Sequence, residues 1–351
     1  MRRGVSHPED PVAERAVIYQ ERKMSKKGGA GMQGYRIRIA AGMVAATASF
    51  GAMAQATDYP AKPVSVVVPG PPGGGIDFFA RIFATEMGKR WKIAPIVDYR
   101  NGAAGLVGAE VAAKAKPDGY TLLMTSDQTM TQAIFRKISF DPERDLVPIA
   151  IVASTAMVCV THPDVAKNWA EFVAKAKANP GALNYVDYPQ TTNALNHLRL
   201  WKAAGIRMTS VPYNGQAPGL QAVLSGTAQL FCATPVGSAE LARTGKLVGL
   251  ATTGRDQMNA LPNVRTLRAQ GLDYEWTLWF GMLAPTGTPA AIIAKVQADL
   301  GDALSKPDVQ EGIRKFGFEP ELRTPAESAA AMTAGAKVYR DLAREFNVKQ
   351  E

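Results

Sequence analysis

The chain is poor in the residues that most catalytic sites use. Its 351 residues include only three histidines and two cysteines, and neither His162 nor His197 stands beside a recognisable nucleophile. The patterns G-x-S-x-G, H-E-x-x-H and C-x-x-C are all missing from the sequence. Paired carboxylates need no fixed spacing, so acid–base chemistry stays open. The composition nevertheless favours a protein that holds a molecule over one that transforms it.

Long apolar runs are also scarce, and the longest lies near the N-terminus. Residues 32–56 combine two arginines with about 16 uncharged residues and end in small side chains, which is typical of a cleavable secretory signal peptide. We predict export to the periplasm with cleavage near Ala54 or Ala56; a buried core helix is the alternative. Residues 1–31 show no periodicity and are predicted to be an upstream extension, either disordered or not translated.

Positive charge is modest once this leader is set aside. The formal net charge of the whole chain is +9, and cleavage after Ala54 removes nine basic and four acidic residues, which leaves +4. The remaining sequence has no stripe of basic and aromatic residues, so a nucleic acid is not an expected partner.

The two cysteines, Cys159 and Cys232, both lie within apolar runs. Buried free thiols are the leading prediction. A disulfide stays open, because the periplasm is oxidising and the two strands could be neighbours. Neither cysteine has a partner at metal-ligand spacing, so we predict no metal site. We also expect no cofactor.

From residue 60 onward, strand and helix patterns alternate. β-Branched residues at 64–69 precede an amphipathic helix at 76–90, and similar units continue to residue 252. This alternation predicts parallel sheets covered by helices, in two α/β domains with an inter-domain ligand cleft and two hinge crossings. The predicted division is 57–155 for the first part of domain 1, 156–278 for domain 2 and 279–351 for the second part of domain 1.

Two helix starts are predicted from their caps in the C-terminal part of the chain. Thr288 can cap a helix whose first residue is Pro289. Thr324 and Glu327 form a capping-box pattern at the start of the last helix.

A glycine-rich junction, "VVVPGPPGGGIDFFAR", joins the first strand to the first helix. Gly73, Gly74 and Gly75 let the backbone approach a ligand, and the helix that begins near Ile76 offers unpaired N–H groups. Together these features predict an anion site. The loop contains no lysine and no third dinucleotide-type glycine, so a carboxylate fits better than a phosphate chain. Asp77 is expected to cap its own loop, and a tight turn without a ligand is the alternative.

A second polar junction, "NYVDYPQTTNALNHL", spans residues 184–198. It is expected to face the first junction across the cleft, where the hydroxyls of Tyr188, Thr191 and Thr192 could bind a polar ligand. An ordinary solvated loop is the alternative. Trp279 belongs to an aromatic cluster at the second hinge crossing, which either packs in the core or forms an apolar wall of the cleft.

From Tyr59 to its C-terminus the sequence resembles the periplasmic substrate-binding proteins of the tripartite tricarboxylate transporter family, also called Bug receptors. The resemblance is carried by collinear stretches such as "YPAKPVSVVVPGPPGGGIDFFAR", "FDPERDLVPIAIVAS", "VPYNGQAPGLQAVLSGTAQL" and "WFGMLAPTGTP". It implies a two-lobed periplasmic-binding-protein (Venus flytrap) fold that closes on a small carboxylate-bearing solute and delivers it to a membrane permease.

The resemblance also implies where the ligand lies. By position it indicates the glycine-rich junction in one lobe and the stretch 187–192 in the other. The chain departs from the family pattern at Gly70, where an aromatic residue is common, and at Asp187, in a loop that is normally rich in serine and glycine. An acidic side chain near a bound carboxylate costs Coulomb energy unless it is paired. The candidate ligand-binding residues are Gly70, Gly73, Gly74, Gly75, Asp77, Ser126, Asp187, Tyr188, Thr191, Thr192 and Trp279.

The leading interpretation is a non-enzymatic receptor for a small organic acid that serves a tripartite tricarboxylate-type permease. One alternative is a solute sensor that presents its closed form to a sensor kinase. Another is a periplasmic hydrolase or lyase that uses the glycine-rich loop as an oxyanion site.

Overall fold

Eleven strands and eleven α-helices form the part of the chain that the computed structural model describes, residues 59–348 and residue 350. The strands are β1 (Ser65–Val68), β2 (Ile96–Tyr99), β3 (Thr121–Ser126), β4 (Leu146–Ala156), β5 (Val158–Thr161), β6 (Asn184–Asp187), β7 (Thr209–Pro212), β8 (Phe231–Ala233), β9 (Val248–Thr252), β10 (Thr277–Pro285) and β11 (Glu319–Pro320). The helices are α1 (Gly75–Trp91), α2 (Leu106–Ala113), α3 (Asp127–Met130), α4 (Pro142–Asp145), α5 (Trp169–Ala178), α6 (Thr192–Ala204), α7 (Gln216–Leu224), α8 (Pro235–Arg243), α9 (Ala290–Leu304), α10 (Pro307–Lys315) and α11 (Pro325–Glu345). The predicted signal peptide at 32–56 and the extension at 1–31 lie outside the described residues.

A six-stranded sheet has the order β11-β4-β10-β3-β1-β2. β1 pairs in parallel with β2 and β3, as the alternating pattern predicts. β10 runs antiparallel to both β3 and β4, so the prediction of a parallel sheet is wrong for this part. The physical reason is connectivity: β4 leads the chain out of this sheet, and β10 brings it back in the opposite direction.

The remaining strands form two smaller sheets, with the order β8-β5-β9 and the pair β6-β7. β5 is antiparallel to both of its neighbours, whereas β6 and β7 are parallel. The six-stranded sheet draws its strands from residues 65–156 and 277–320, and the smaller sheets draw theirs from 158–252. The exact domain boundaries given above stay a prediction.

The two cysteines face each other from neighbouring strands. Cys159 of β5 is directly opposite Cys232 of β8, and the two form a disulfide. The leading prediction of free thiols is therefore wrong, and the alternative that was left open is confirmed. Seventy-three residues separate the two positions along the chain, so only the strand register brings them together.

Of the two helix caps predicted in the C-terminal part of the chain, one is confirmed and the other is wrong. Thr324 and Glu327 form the predicted capping box at the start of α11. The predicted cap at Thr288 is wrong: its hydroxyl donates to the carbonyl of Pro285, and Pro289 occupies the N-cap position of α9. Among the described residues, no helix combines the length and the apolar character needed to cross a bilayer.

Candidate functional site

The glycine-rich loop, residues 69–75, presents the start of α1 to open space. Gly74 occupies the N-cap position with an extended backbone (φ −92°, ψ 174°), and no side chain caps this 17-residue helix. A Cβ built on Gly70, Gly73 or Gly74 would meet no described atom within 4 Å. The first N–H groups of α1, with their partial positive charge, therefore border a space that a ligand can reach.

The three consecutive glycines of this loop have different roles. Gly73 has a φ of +91°, a conformation that side chains with a Cβ rarely adopt. A Cβ on Gly75 would lie only 2.8 Å from Cζ of Phe280, so Gly75 is required for packing against β10. Gly74 has neither constraint, and the space around it is open.

Asp77 fixes the loop from within, as predicted. Its Oδ2 accepts a hydrogen bond from the backbone N–H of Gly73 at 2.8 Å. Its Oδ1 accepts from Arg81 Nε at 2.8 Å and from the Tyr99 hydroxyl at 2.5 Å. Burial raises the pKa of the Asp77 carboxyl, but the hydrogen bonds from Tyr99, Gly73 and Arg81 outweigh burial and the pKa is lowered. The carboxylate holds the loop in shape and is not directed at the open space.

A second glycine-rich turn, residues 102–108, packs against the start of the glycine-rich loop. A Cβ on Gly105 would lie 2.7 Å from Thr129 Oγ1 and 3.0 Å from the carbonyl oxygen of Pro69. A Cβ on Gly108 would lie 2.8 Å from Cα of Pro69. These two glycines let α2 pack directly against the start of the glycine-rich loop, so the position of that loop depends on both turns.

The start of α6 is the counterpart in the second set of sheets. Thr191 occupies its N-cap position with an extended backbone (φ −135°, ψ 167°), and its side chain makes no cap bond. The Thr191 hydroxyl donates instead to the carbonyl of Tyr188 at 2.5 Å. Thr192 is fully buried, and its hydroxyl has no hydrogen-bond partner among the described residues. α6 therefore also begins without a side-chain cap, beside an unpaired hydroxyl.

Asp187 and Tyr188 face the interior of their own region. Asp187 Oδ1 lies 3.1 Å from His197 Nδ1, and its Oδ2 accepts from Ser210 Oγ at 2.8 Å. Burial raises the pKa of the Asp187 carboxyl, but its hydrogen bonds to His197 and Ser210 outweigh burial and lower it. The ring of Tyr188 packs edge-on against Phe231, with ring centroids 5.9 Å apart. The structure thus gives both residues partners in the core.

A short segment at the end of β3, residues 126–129, contacts the first turn of α6 and lies beside Gly105. Ser126 is buried and occupies the N-cap position of α3. The next residue but one, Gln128, donates its side-chain amide to Asn193 in the first turn of α6. Thr129 and the Pro69 carbonyl both lie close to Gly105. Segment 126–129 therefore contacts the start of α6 directly and shares Gly105 as a neighbour with the start of the glycine-rich loop.

Gln128 and Asn193 were not identified from the sequence. For Gln128 the available signal was position: polar residues that directly follow a buried strand lie at the carboxyl edge of a sheet, where α/β proteins bind their ligands. Within the described residues, no group of three or more histidine, cysteine or acidic side chains is arranged to hold a metal ion.

Trp279 lies in a different place from the glycine-rich loop. Successive residues of a strand point to opposite faces, so Trp279 and Phe280 of β10 are on opposite sides of the sheet. Phe280 packs against Gly75, whereas Trp279 lines a cavity of about 320 Å³ whose other walls include Asp127 and Tyr339. The glycines of the loop do not line this cavity. Trp279 is therefore separated from the glycines of the loop, although the adjacent residue Phe280 pairs with Ser126 across β10 and β3.

Comparison with known proteins gives a consistent group of similar chains. A family model described as "Tripartite tricarboxylate transporter family receptor" matches residues 79–335. Protein BugT of Bordetella pertussis is 28% identical over 320 residues, which cover 90% of this chain and 98% of BugT. A solved R. palustris protein with adipate has a TM-score of 0.76 at 26% identity and covers 82% of this chain and 97% of its own. MatC from Rhodopseudomonas palustris with bound malate has a TM-score of 0.73 at 27% identity, covering 81% and 99%.

Proposed function

The chain belongs to the tripartite tricarboxylate transporter receptor family, and from this premise we propose that it is a receptor that binds a small dicarboxylic acid between its two lobes. The family and the two-lobed α/β fold predicted from the sequence are confirmed. Malate and adipate, which the two R. palustris neighbours hold, are both dicarboxylates. We carry this ligand class over to the present chain as part of the proposal.

The observation that carries the proposal is the pair of uncapped helix starts at α1 and α6. Each offers free N–H donors and a partial positive charge, which suit a carboxylate. The space in front of Gly74 is open, and the nearby Arg81 is already paired with Asp77. The ligand carboxylate would therefore be bound by backbone N–H groups and by hydroxyls such as that of Thr192, with no arginine or lysine contributed by the loop.

Asp187 has a positioning role in this proposal. A carboxylate near the ligand would repel it, but the Asp187 carboxylate is paired with His197 and Ser210 and is 4% exposed. Because His197 lies on α6, this pairing fixes the orientation of the helix whose N-terminus binds the ligand. The repulsion expected from the sequence is thereby reduced.

Members of this family are periplasmic receptors. We propose that residues 32–56 direct export and that the receptor delivers its ligand, unchanged, to the family's membrane permease. The disulfide between Cys159 and Cys232 supports an oxidising compartment, since disulfides persist in the periplasm and are rare in the cytosol.

The experiment is a thermal-shift and calorimetric screen of the protein purified from the periplasm. The panel contains malate, succinate, adipate, aromatic acids and amino acids. A dicarboxylate at one hundred times its Kd should add about 2.7 kcal/mol to the free energy of unfolding, which raises Tm by about 5 °C or more for a chain of this size. The bound acid should be recovered chemically unchanged. If no acid shifts Tm at millimolar concentration, the proposal is wrong; if the acid is consumed, the enzymatic alternative is correct.

A further inference from the structure

The turn between α10 and β11 brings the two lobes into contact. Gly317 in this turn has no room for a side chain: a Cβ built on it would lie 2.5 Å from Cβ of Pro235 and 3.3 Å from Sδ of Met258. Pro235 is the first residue of α8, and Met258 belongs to the apolar core cluster of the smaller sheets. The lobe that contains the six-stranded sheet therefore touches the lobe that contains the smaller sheets at the backbone of Gly317.

This turn is fixed within its own lobe. The carbonyl of Gly317 accepts a hydrogen bond from Thr155 Oγ1 of β4 at 2.9 Å. The next residue, Phe318, is fully buried. Its ring centroid lies 5.0 Å from that of Phe79 in α1 and 5.4 Å from that of Phe280 in β10. Because Phe79 lies in α1, the turn is packed against the helix whose start is proposed to bind the ligand.

An exposed hydrogen bond extends this contact at the surface. Asn259 Nδ2, in the residue after Met258, donates to Glu319 Oε1 at 3.1 Å, and both Asn259 and Glu319 are exposed. Pro235, Met258 and Gly317 are buried. A small buried contact with a polar rim resembles a transient interface between proteins, and domains that meet in this way generally move relative to each other.

The lobes also meet beside the proposed ligand site. Gln128, which follows β3, donates its side-chain amide to Asn193 in the first turn of α6. Arg136 Nη2 donates to Gln190 Oε1 at 3.1 Å, and Gln190 directly precedes the N-cap residue Thr191. These bonds join the segment after β3 in one lobe to the start of α6 in the other. The two halves of the proposed site are therefore in contact, and the arrangement in this structure is a closed one.

We propose that Gly317 is a positioning residue for ligand binding: the lobes close completely only when the turn at Gly317 packs against Pro235 and Met258. This inference rests on the proposed function, because it concerns closure of the same site. A side chain at position 317 would hold the lobes apart. The apparent affinity falls in proportion to the population of the binding-competent arrangement, so residue 317 controls affinity without touching the ligand.

The test compares Gly317→Ala with Gly271→Ala as its matched control. Both glycines have a left-handed backbone, with φ values of 81° and 88°, so alanine introduces similar backbone strain at each position. A Cβ on Gly271 would meet no described atom within 4 Å. Only Gly317→Ala therefore adds an overlap between the lobes. Circular dichroism checks that both variants are folded.

The first measurements are small-angle X-ray scattering and calorimetry on protein purified from the periplasm. Without ligand, Gly317→Ala should have a larger radius of gyration than the wild type, whereas Gly271→Ala should match the wild type. Saturation with malate or adipate should return Gly317→Ala to the wild-type radius, because the ligand favours the closed arrangement. A local folding defect would not be reversed in this way. The Kd for the same acid should be about tenfold higher in Gly317→Ala than in Gly271→Ala.

A second variant tests the contact without changing a glycine or the core. Asn259→Asp keeps the shape of an exposed side chain and places a carboxylate within hydrogen-bond distance of Glu319. The two carboxylates should repel each other and raise the Kd about threefold at low ionic strength, and this effect should vanish at about 0.5 M salt. Asn263→Asp, at another exposed residue, adds the same charge and is the control.

Equal ligand-free radii for Gly317→Ala and Gly271→Ala overturn the inference, as does equal affinity in these two variants or an enlarged radius that the ligand does not reduce. If Gly317→Ala does not fold, Asn259→Asp decides, and a Kd equal to that of Asn263→Asp overturns the inference. Failure of the proposed function gives a different result: no acid of the screening panel binds the wild type. The ligand-free radii of the two glycine variants still test the contact at Gly317 in that case.

Discussion

The two glycine-rich turns beside β1 and β2 look alike in sequence and differ in what their glycines face. In the first, residues 69–75, Gly74 borders open space. In the second, residues 102–108, a Cβ on Gly105 or Gly108 would lie within 3.0 Å of the first turn or its neighbours. A glycine run therefore indicates close approach by something, and only the surroundings show whether that partner is a ligand or the protein itself.

The backbone of the second turn carries strain that the first turn does not. Two non-glycine residues, Ala103 and Ala104, have positive φ values of 47° and 55°, a conformation that is unfavourable for residues with a Cβ. This strained turn leads directly into α2, which packs on Pro69. The second turn thus stabilises the geometry from which the first turn presents its N–H groups.

The largest expected effect is on stability, at the second turn (residues 102–108). Gly108→Val places a side chain 2.8 Å from Cα of Pro69 and 3.0 Å from the carbonyl of Arg100, both backbone atoms that cannot rotate away. We expect a loss of about 3 kcal/mol in the free energy of unfolding, measured by urea denaturation. Gly312→Val, at a helix glycine with open surroundings, is the control and should lose far less. Equal midpoints for the two variants would contradict the supporting role.

The second largest expected effect is on ligand binding, at the first turn (residues 69–75). Gly74→Val introduces its side chain into open space with an ordinary backbone conformation, so the free energy of unfolding should change by only about 0.5 kcal/mol. The side chain occupies the position proposed for the ligand carboxylate, and affinity for the dicarboxylate found by screening should fall about 100-fold, or about 2.7 kcal/mol. Calorimetry gives the affinity. An unchanged Kd would remove the glycine-rich loop from the site.

The sequence predicted the helix that follows the first turn, but it did not predict what the glycines of the two turns contact. The strand–turn–helix pattern located α1 to within a residue at each end, because β-branched runs and amphipathic spacing are local signals. The roles of Gly75 and Gly105 depend on Phe280 and Thr129, which are distant in the chain. The partners of Asp187 could not be predicted from the sequence either. His197 and Ser210 contact it only because β6, β7 and α6 pack together. Local sequence patterns therefore predict the helices and strands. Which polar groups find a partner within the protein depends on packing between distant parts of the chain.

A smaller effect is expected where the first turn is held by charge. Asp77→Asn keeps the shape of the side chain and weakens the bonds from Arg81 and Gly73, at a cost of about 1–2 kcal/mol. The pKa of Asp77 is lowered in the folded protein from its ordinary value of 3.8. The stabilisation is therefore complete above that value and is lost as the pH falls through the lower folded pKa. Unfolding free energies should differ between wild type and variant at pH 7 and converge as the pH falls below the folded pKa; a constant difference would show that the charge is not responsible.

The smallest effects come from adding one methyl group to each turn. A Cβ on Gly70 meets no described atom within 4 Å, and φ there lies outside the left-handed region. Gly70→Ala should therefore stabilise the protein by about 0.5 kcal/mol, because alanine restricts the unfolded chain. Gly102 has a φ of +133° and its Cβ would lie 2.9 Å from Val107 Cγ2, so Gly102→Ala should destabilise by about 1 kcal/mol. Urea titrations of the two variants give the change in the free energy of unfolding for each. Changes of opposite sign would show that the first turn is open to solvent and the second is closed by packing. Changes of the same sign would mean that both turns adjust to a methyl group in the same way and differ only in ligand binding.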